Sequence, residues 1–145
     1  MILLNTTVVS VVMCLTLSAA TSVQAQERMR AGMWENTVTA PSGQTATHSS
    51  CFKPADAAMS NGSPAVVRAE TEKAMSKIGC TLKEFKLDGN ALSLTLVCAT
   101  TTIVQETTFH GGDSFETTTT NRRGGVTKVS QIKGRRTGDC KAGAE

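Results

Sequence analysis

Four widely spaced cysteines, Cys51, Cys80, Cys98 and Cys140, limit what this chain can fold into more than any other feature. In an exported protein an even set reads as two disulfides, for which three connectivities exist. The competing reading is structural zinc, which favours close ligand pairs such as C-x-x-C, and the sequence has none. Two disulfides are therefore expected, with no metal and no cofactor.

Export is read from the first residues. Ile2 to Val23 carry no charged side chain, and Val8, Val9, Val11, Val12, Met13, Leu15 and Leu17 form an apolar run followed by small residues. Val23-Gln24-Ala25 then suits a signal peptidase, with cleavage before Gln26. Positive charge at the start comes from the α-amine alone. The strongly apolar part is about ten residues, where a membrane span needs roughly 20. Residues 1–25 are thus expected to be a cleaved signal peptide that takes Cys14 with it. Met13 stands before Cys14 where a lipoprotein signal wants a small residue, so lipidation is not expected. Residues 26–145 remain as one periplasmic or secreted domain with no transmembrane segment. One Trp, four Phe and no Tyr leave its core to Leu, Val, Ile and Ala, a thin core that a disulfide staple would help.

Period-2 patterning dominates that domain. Gly32 to Ala40 and Gln44 to Phe52 flank Pro41-Ser42-Gly43 as a first hairpin. Pro54 to Met59 suggests a short helical turn before Ser60-Asn61-Gly62. Ser63 as N-cap, Pro64 at the first helical position and Gly79 as C-terminal stop delimit one full helix. Its stripe is Val67, Thr71, Ala74, Met75 and Ile78, and Arg68 pairs with Glu72 at i,i+4. Phe85 and Leu87, then Leu92, Leu94 and Leu96, alternate about the turn Asp88-Gly89-Asn90. Thr102 to His110 and Ser114 to Asn121 surround Gly111-Gly112-Asp113, and Gly124-Gly125 leads into Val126 to Gly134. Threonine, which favours a pleated surface, is abundant from Thr100 to Thr120. The expected fold is α+β and mostly antiparallel β, an about seven-stranded curved sheet packed around one inserted helix.

Counting back from Asp88-Gly89-Asn90 puts Cys80 opposite Cys98, which leaves Cys51 for Cys140. Keeping Phe85 and Leu87 on the face of Leu92, Leu94 and Leu96 requires a register shifted by one. Cys80 directly follows the helix stop, so an irregular strand entry or a bulge would absorb that shift. By the chain-entropy model the shorter loop contributes about 3 kcal/mol and the longer about 4.6 kcal/mol.

An ordered set of motifs resembles a known family. It comprises Gly32-Met33-Trp34-Glu35, Cys51-Phe52-Lys53-Pro54-Ala55-Asp56-Ala57, the Cys80 to Cys98 hairpin, Gly112 to Glu116, and the ending Gly134-Arg135-Arg136-Thr137-Gly138-Asp139-Cys140. Together they resemble the bacterial domain-of-unknown-function 3617 family, small exported proteins with four cysteines. The resemblance implies compartment and architecture and transfers no active site.

Catalytic constellations are sparse. His110 lies four residues before Ser114, but a serine nucleophile needs a strained turn, an oxyanion hole and an oriented base. A Gly-Asp hairpin turn explains the same residues, so no catalytic residue is assigned. No C-x-x-C exists to lower a thiol pKa, and His48 and His110 read as surface residues. Trp34 reads as a core anchor rather than a sugar-stacking platform. Between Asn121 and Lys141, by contrast, Arg122, Arg123, Lys128, Lys133, Arg135, Arg136 and Lys141 face Asp139 alone, twice the +3 of the whole chain. Arg122, Arg123, Arg135 and Arg136 are the candidate anion-binding residues, expected as two patches roughly 40 Å apart along an extended strand. The expected function is a non-catalytic envelope module that binds a ligand or partner. An anionic envelope polymer or lipid surface is the partner the charge suits, and an exported location argues against nucleic acid. The alternatives are a small envelope hydrolase with a dispersed active site and a purely structural or stress-related envelope protein.

Overall fold

The computed structural model describes residues 27–141. The expected signal peptide over residues 1–25, with Cys14, lies outside the described residues. The elements run β1 (Gly32–Thr39), β2 (Thr45–Phe52), α1 (Pro54–Ser60), α2 (Pro64–Ser76), β3 (Cys80–Asp88), β4 (Ala91–Cys98), β5 (Thr101–His110), β6 (Ser114–Arg123) and β7 (Val126–Gly138). All seven strands form one antiparallel sheet in the order β2-β1-β7-β6-β5-β4-β3, which does not close.

Register decides which side chains share a face, because directly opposed residues point the same way. Following the pairs from β1 to β3 puts Trp34, Phe52, Phe115, Phe109, Leu92, Leu94, Leu96, Phe85 and Leu82 on one face. That core face has two centres. Leu82, Leu94 and Leu96 are buried with Met75 of α2, Phe85, Leu92 and Ile103 packed on them. Across the sheet, Trp34 lies 5.7 Å from Phe115 and 6.4 Å from Phe52, and Phe109 lies 6.5 Å from Phe115. Gly134 is what lets these rings approach the sheet, since a Cβ there would collide with the Phe115 ring. Between the two centres the hydroxyls of Thr107 and Thr117 share a buried hydrogen bond of 2.8 Å.

The β3–β4 hairpin meets its register conflict with a bulge. Leu82 faces Leu96 while Glu84 faces Thr95, so Lys83 is the extra residue. Phe85 and Leu87 thereby join Leu92 and Leu94 on the core face. The extra residue stands three positions into β3, past the start of the strand. Cys80 is bonded to Cys98 and Cys51 to Cys140.

The expectation of one inserted helix needs correction. There are two, α1 and α2, broken at Asn61-Gly62, and α2 packs against β3 with Met75 on the leucine centre. Ser63 caps α2 by accepting from the Val66 N–H, and Arg68 meets Glu72 at 2.9 Å. The helix stops at Ser76, short of Gly79, because Ile78 and Gly79 donate to the carbonyls of Met75 and Ser76 in a tightened last turn. Of the expected stripe, Val67, Thr71 and Met75 are half-buried, whereas Ala74 and Ile78 are exposed.

A short N-terminal segment locks the end of the sheet where β1 begins and β7 finishes, the termini end. The buried Arg28 guanidinium donates to the carbonyls of Ser60, Gly62 and Gly89 at 2.9, 2.5 and 3.3 Å. Burial pulls its pKa below the usual arginine value. The Asn61 amide answers by accepting from the N–H groups of Arg28 and Met29 and donating to the Met29 carbonyl. One arginine thus ties the start of the domain to the α1–α2 loop and the β3–β4 turn.

Candidate functional site

Antiparallel pairing sorts the loops between two ends. The β3–β4 and β5–β6 turns share one end with residues 28–31 and Cys140. The β1–β2, β4–β5 and β6–β7 turns share the other, which we call the hairpin end. The last turn of α2 also reaches the hairpin end, because Gly79 leads straight into Cys80, opposite Cys98.

The segments at the hairpin end, residues 39–45, 76–81, 97–102 and 120–129, contain no Asp or Glu. They supply Lys77, Arg122, Arg123 and Lys128, and none of these has an ion-pair partner among the described residues. Three of the exposed large apolar side chains are here too: Ile78 at 68%, Val126 at 57% and Val129 at 45% exposure. The β6–β7 turn is built from Gly124 and Gly125 at φ 54° and 78°, a pair of left-handed residues that a two-residue hairpin loop demands. It brings Arg123 opposite Val126, Arg122 opposite Thr127 and Asn121 opposite Lys128.

Register then divides the cations of this tip. Arg123, Lys128 and Val126 lie on the core face, where Thr101, Asn121 and Gly124 join them around a depression of about 490 Å³. Arg122 and Val129 lie on the opposite face. Charge and apolar surface are therefore present on both sides of the tip. What the two sides share is the direction in which the hairpin points.

The structure does not bring the four candidate arginines together. Arg135 and Arg136 sit at the termini end, and Val126 to Arg135 spans roughly 30 Å along β7 at about 3.3 Å per residue. The separation is shorter than expected because β7 begins beside Arg123 after the turn. Arg135 lies 3.5 Å from Glu35, and Arg136 donates to the Ala31 carbonyl and to Asp139. These two arginines are engaged within the domain. Sequence reading missed Lys77 and Ile78, which reach the same end from the helix; the signal was their place just before Cys80, a residue tied to that end.

The remaining chemistry-bearing residues are dispersed. His110 and Ser114 oppose each other across the β5–β6 turn, and Asp113 between them is ion-paired to Arg30. His48 on β2 lies four strands away from β5, roughly 19 Å at about 4.8 Å per strand. Among the described residues no three His, Cys, Asp or Glu side chains gather to hold a metal ion. A polar groove of about 530 Å³ holds Asp88, Glu106 and Glu116 with Lys86. A hydrogen bond from Lys133, reinforced by its charge, holds Glu116 below the usual carboxylate range, which suits an ion pair and not a proton donor. Among the described residues no helix is long and apolar enough to cross a membrane.

Residues 29–140 match the family model described as "Protein of unknown function (DUF3617)". The matched span runs from the segment docked on Asn61 to the second cysteine of the longer disulfide. No curated protein matches the chain.

Proposed function

We propose, from the premise that this chain belongs to the DUF3617 family, that it is an exported, non-catalytic envelope protein that docks the hairpin end of its sheet on an anionic lipid surface. The observation that carries this reading is an end that, among the described residues, has no acid, four cations without an ion-pair partner and three exposed aliphatic side chains. Cations on both faces of the β6–β7 tip cannot converge on one small ligand. A planar anionic surface met end-on reaches all of them. Each basic residue near such a surface is worth about 1 kcal/mol, and the attraction is confined to about one Debye length. Ile78, Val126 and Val129 add apolar contact at the interface. Export is supported by the leader pattern of residues 1–25 and by two disulfides, which persist in oxidising compartments.

Vesicle flotation of the oxidised domain starting at Gln26 tests the reading. Binding is expected to vesicles rich in phosphatidylglycerol, not to purely zwitterionic ones, and to weaken between low salt and about 0.15 M. Substituting Lys77→Ser, Arg122→Ser, Arg123→Ser and Lys128→Ser together should reduce affinity about 1000-fold at low salt, from about 4 kcal/mol of lost attraction. The thermal midpoint should barely move, since these side chains hold no ion pair. Val126→Ser with Val129→Ser should weaken vesicle binding alone. Equal binding of the parent to a soluble polyuronate, insensitive to the valines, would assign the site to an acidic polysaccharide instead.

A further inference from the structure

A sheet that does not close has two edges, and this molecule treats them unequally. The β3 edge is protected in two ways: it carries Lys83, Glu84, Lys86 and Asp88, and it bulges at Lys83. These are the usual devices that keep an edge strand from pairing with another chain. The β2 edge has none of them. Thr45–Phe52 contains no Lys, Arg, Asp or Glu, pairs with β1 without a break in register, and exposes its first six residues. Every second residue of such a strand directs its N–H and C=O away from the sheet.

We infer that β2 pairs antiparallel with β2 of a second copy of this chain, extending two sheets into one across a two-fold axis. The occupant is the chain itself because the strand is self-complementary. A two-fold perpendicular to the sheet preserves its faces, so opposed residues must share a face. Centred on His48, it sets Thr47 opposite Ser49 of the second copy, Ala46 opposite Ser50 and Thr45 opposite Cys51. His48 meets His48 of the second copy on the axis, no like charges from Lys, Arg, Asp or Glu meet, and small or hydroxyl side chains fill the positions on either side. The Thr37 and Thr47 hydroxyls already make such a cross-strand contact at 3.0 Å within one copy. Centring on Ser49 instead would draw in Phe52, whose carbonyl faces the Cys140 sulfur at 3.9 Å.

Sedimentation velocity of the oxidised domain over a wide concentration range tests this pairing. A concentration-dependent dimer is expected. Thr47→Lys with Ser49→Lys sets Lys against Lys twice across the axis and should raise the dissociation constant at least tenfold. Thr47→Lys with Ser49→Glu sets Lys against Glu twice and should restore the dimer, although it alters the same two exposed positions. Circular dichroism checks that both variants keep the parent fold. A monomer at every concentration would overturn the inference, as would a Lys/Lys variant that dimerises like the parent.

Discussion

Replacing Cys51 and Cys140 together by serine is expected to lower the unfolding free energy by about 4.6 kcal/mol, the chain-entropy value for a bridge of sequence separation 89. Topology argues that little of this is recovered elsewhere. Cys51 lies on the edge strand β2 opposite Met33 of β1, and Met33 in turn lies opposite Gly138 of β7. The bridge therefore closes over β1 and fastens the edge strand to the end of the chain. β2 has little else to hold it, since six of its eight residues are exposed. The Cys80–Cys98 bridge, of separation 18, joins residues already paired in a hairpin and should contribute about 3 kcal/mol. Urea unfolding of the two double-serine variants checks the ranking. A smaller loss from the longer bridge would show that strand pairing, not loop closure, sets the stability of the termini end.

Trp34→Ala is expected to cost about 3–5 kcal/mol, as large truncations in a packed core do. Trp34 is 2% exposed, sits between Phe52 and Phe115, and donates its indole N–H to the Arg30 carbonyl at 2.9 Å. Truncation would empty the aromatic centre and free the segment that Arg28 docks. Trp34→Phe keeps part of the volume but loses the hydrogen bond, so an intermediate loss is expected. Equilibrium unfolding followed by circular dichroism measures both. A loss under about 1 kcal/mol for the alanine variant would mean that the leucine centre alone supports the fold.

The strands were legible because the two faces of this sheet differ so plainly in composition. Leu92, Leu94 and Leu96 alternate with Ser93 and Thr95, and three of the five hairpin turns carry Gly with Asp, Asn or Ser. The same alternation exposed the misfit of Phe85 and Leu87 with Cys80, and hence the need for an irregular strand entry or a bulge, of which the structure has the bulge. The Arg28 clasp was not legible, since its partners are main-chain carbonyls of Ser60, Gly62 and Gly89, which carry no residue-type signature. The candidate site was half visible. Charge counting found Arg122 and Arg123 and set them apart from Arg135 and Arg136 as a second patch, which the antiparallel return of β7 carries to the opposite end. Lys77 and Ile78 joined the site only once Cys80 fixed where α2 ends. That no acidic residue lies at the hairpin end among the described residues becomes apparent when the four loop segments are aligned in space.

The central claim is that the hairpin end of the sheet meets an anionic lipid surface. Its most direct test is the amide spectrum of the ¹⁵N-labelled oxidised domain on anionic nanodiscs that carry a paramagnetic lipid headgroup. Signal loss should be confined to Lys77, Ile78 and the tip from Arg122 to Val129, and should vanish on zwitterionic discs. Loss centred on Arg135 and Arg136, or equal loss on both kinds of disc, would contradict the account.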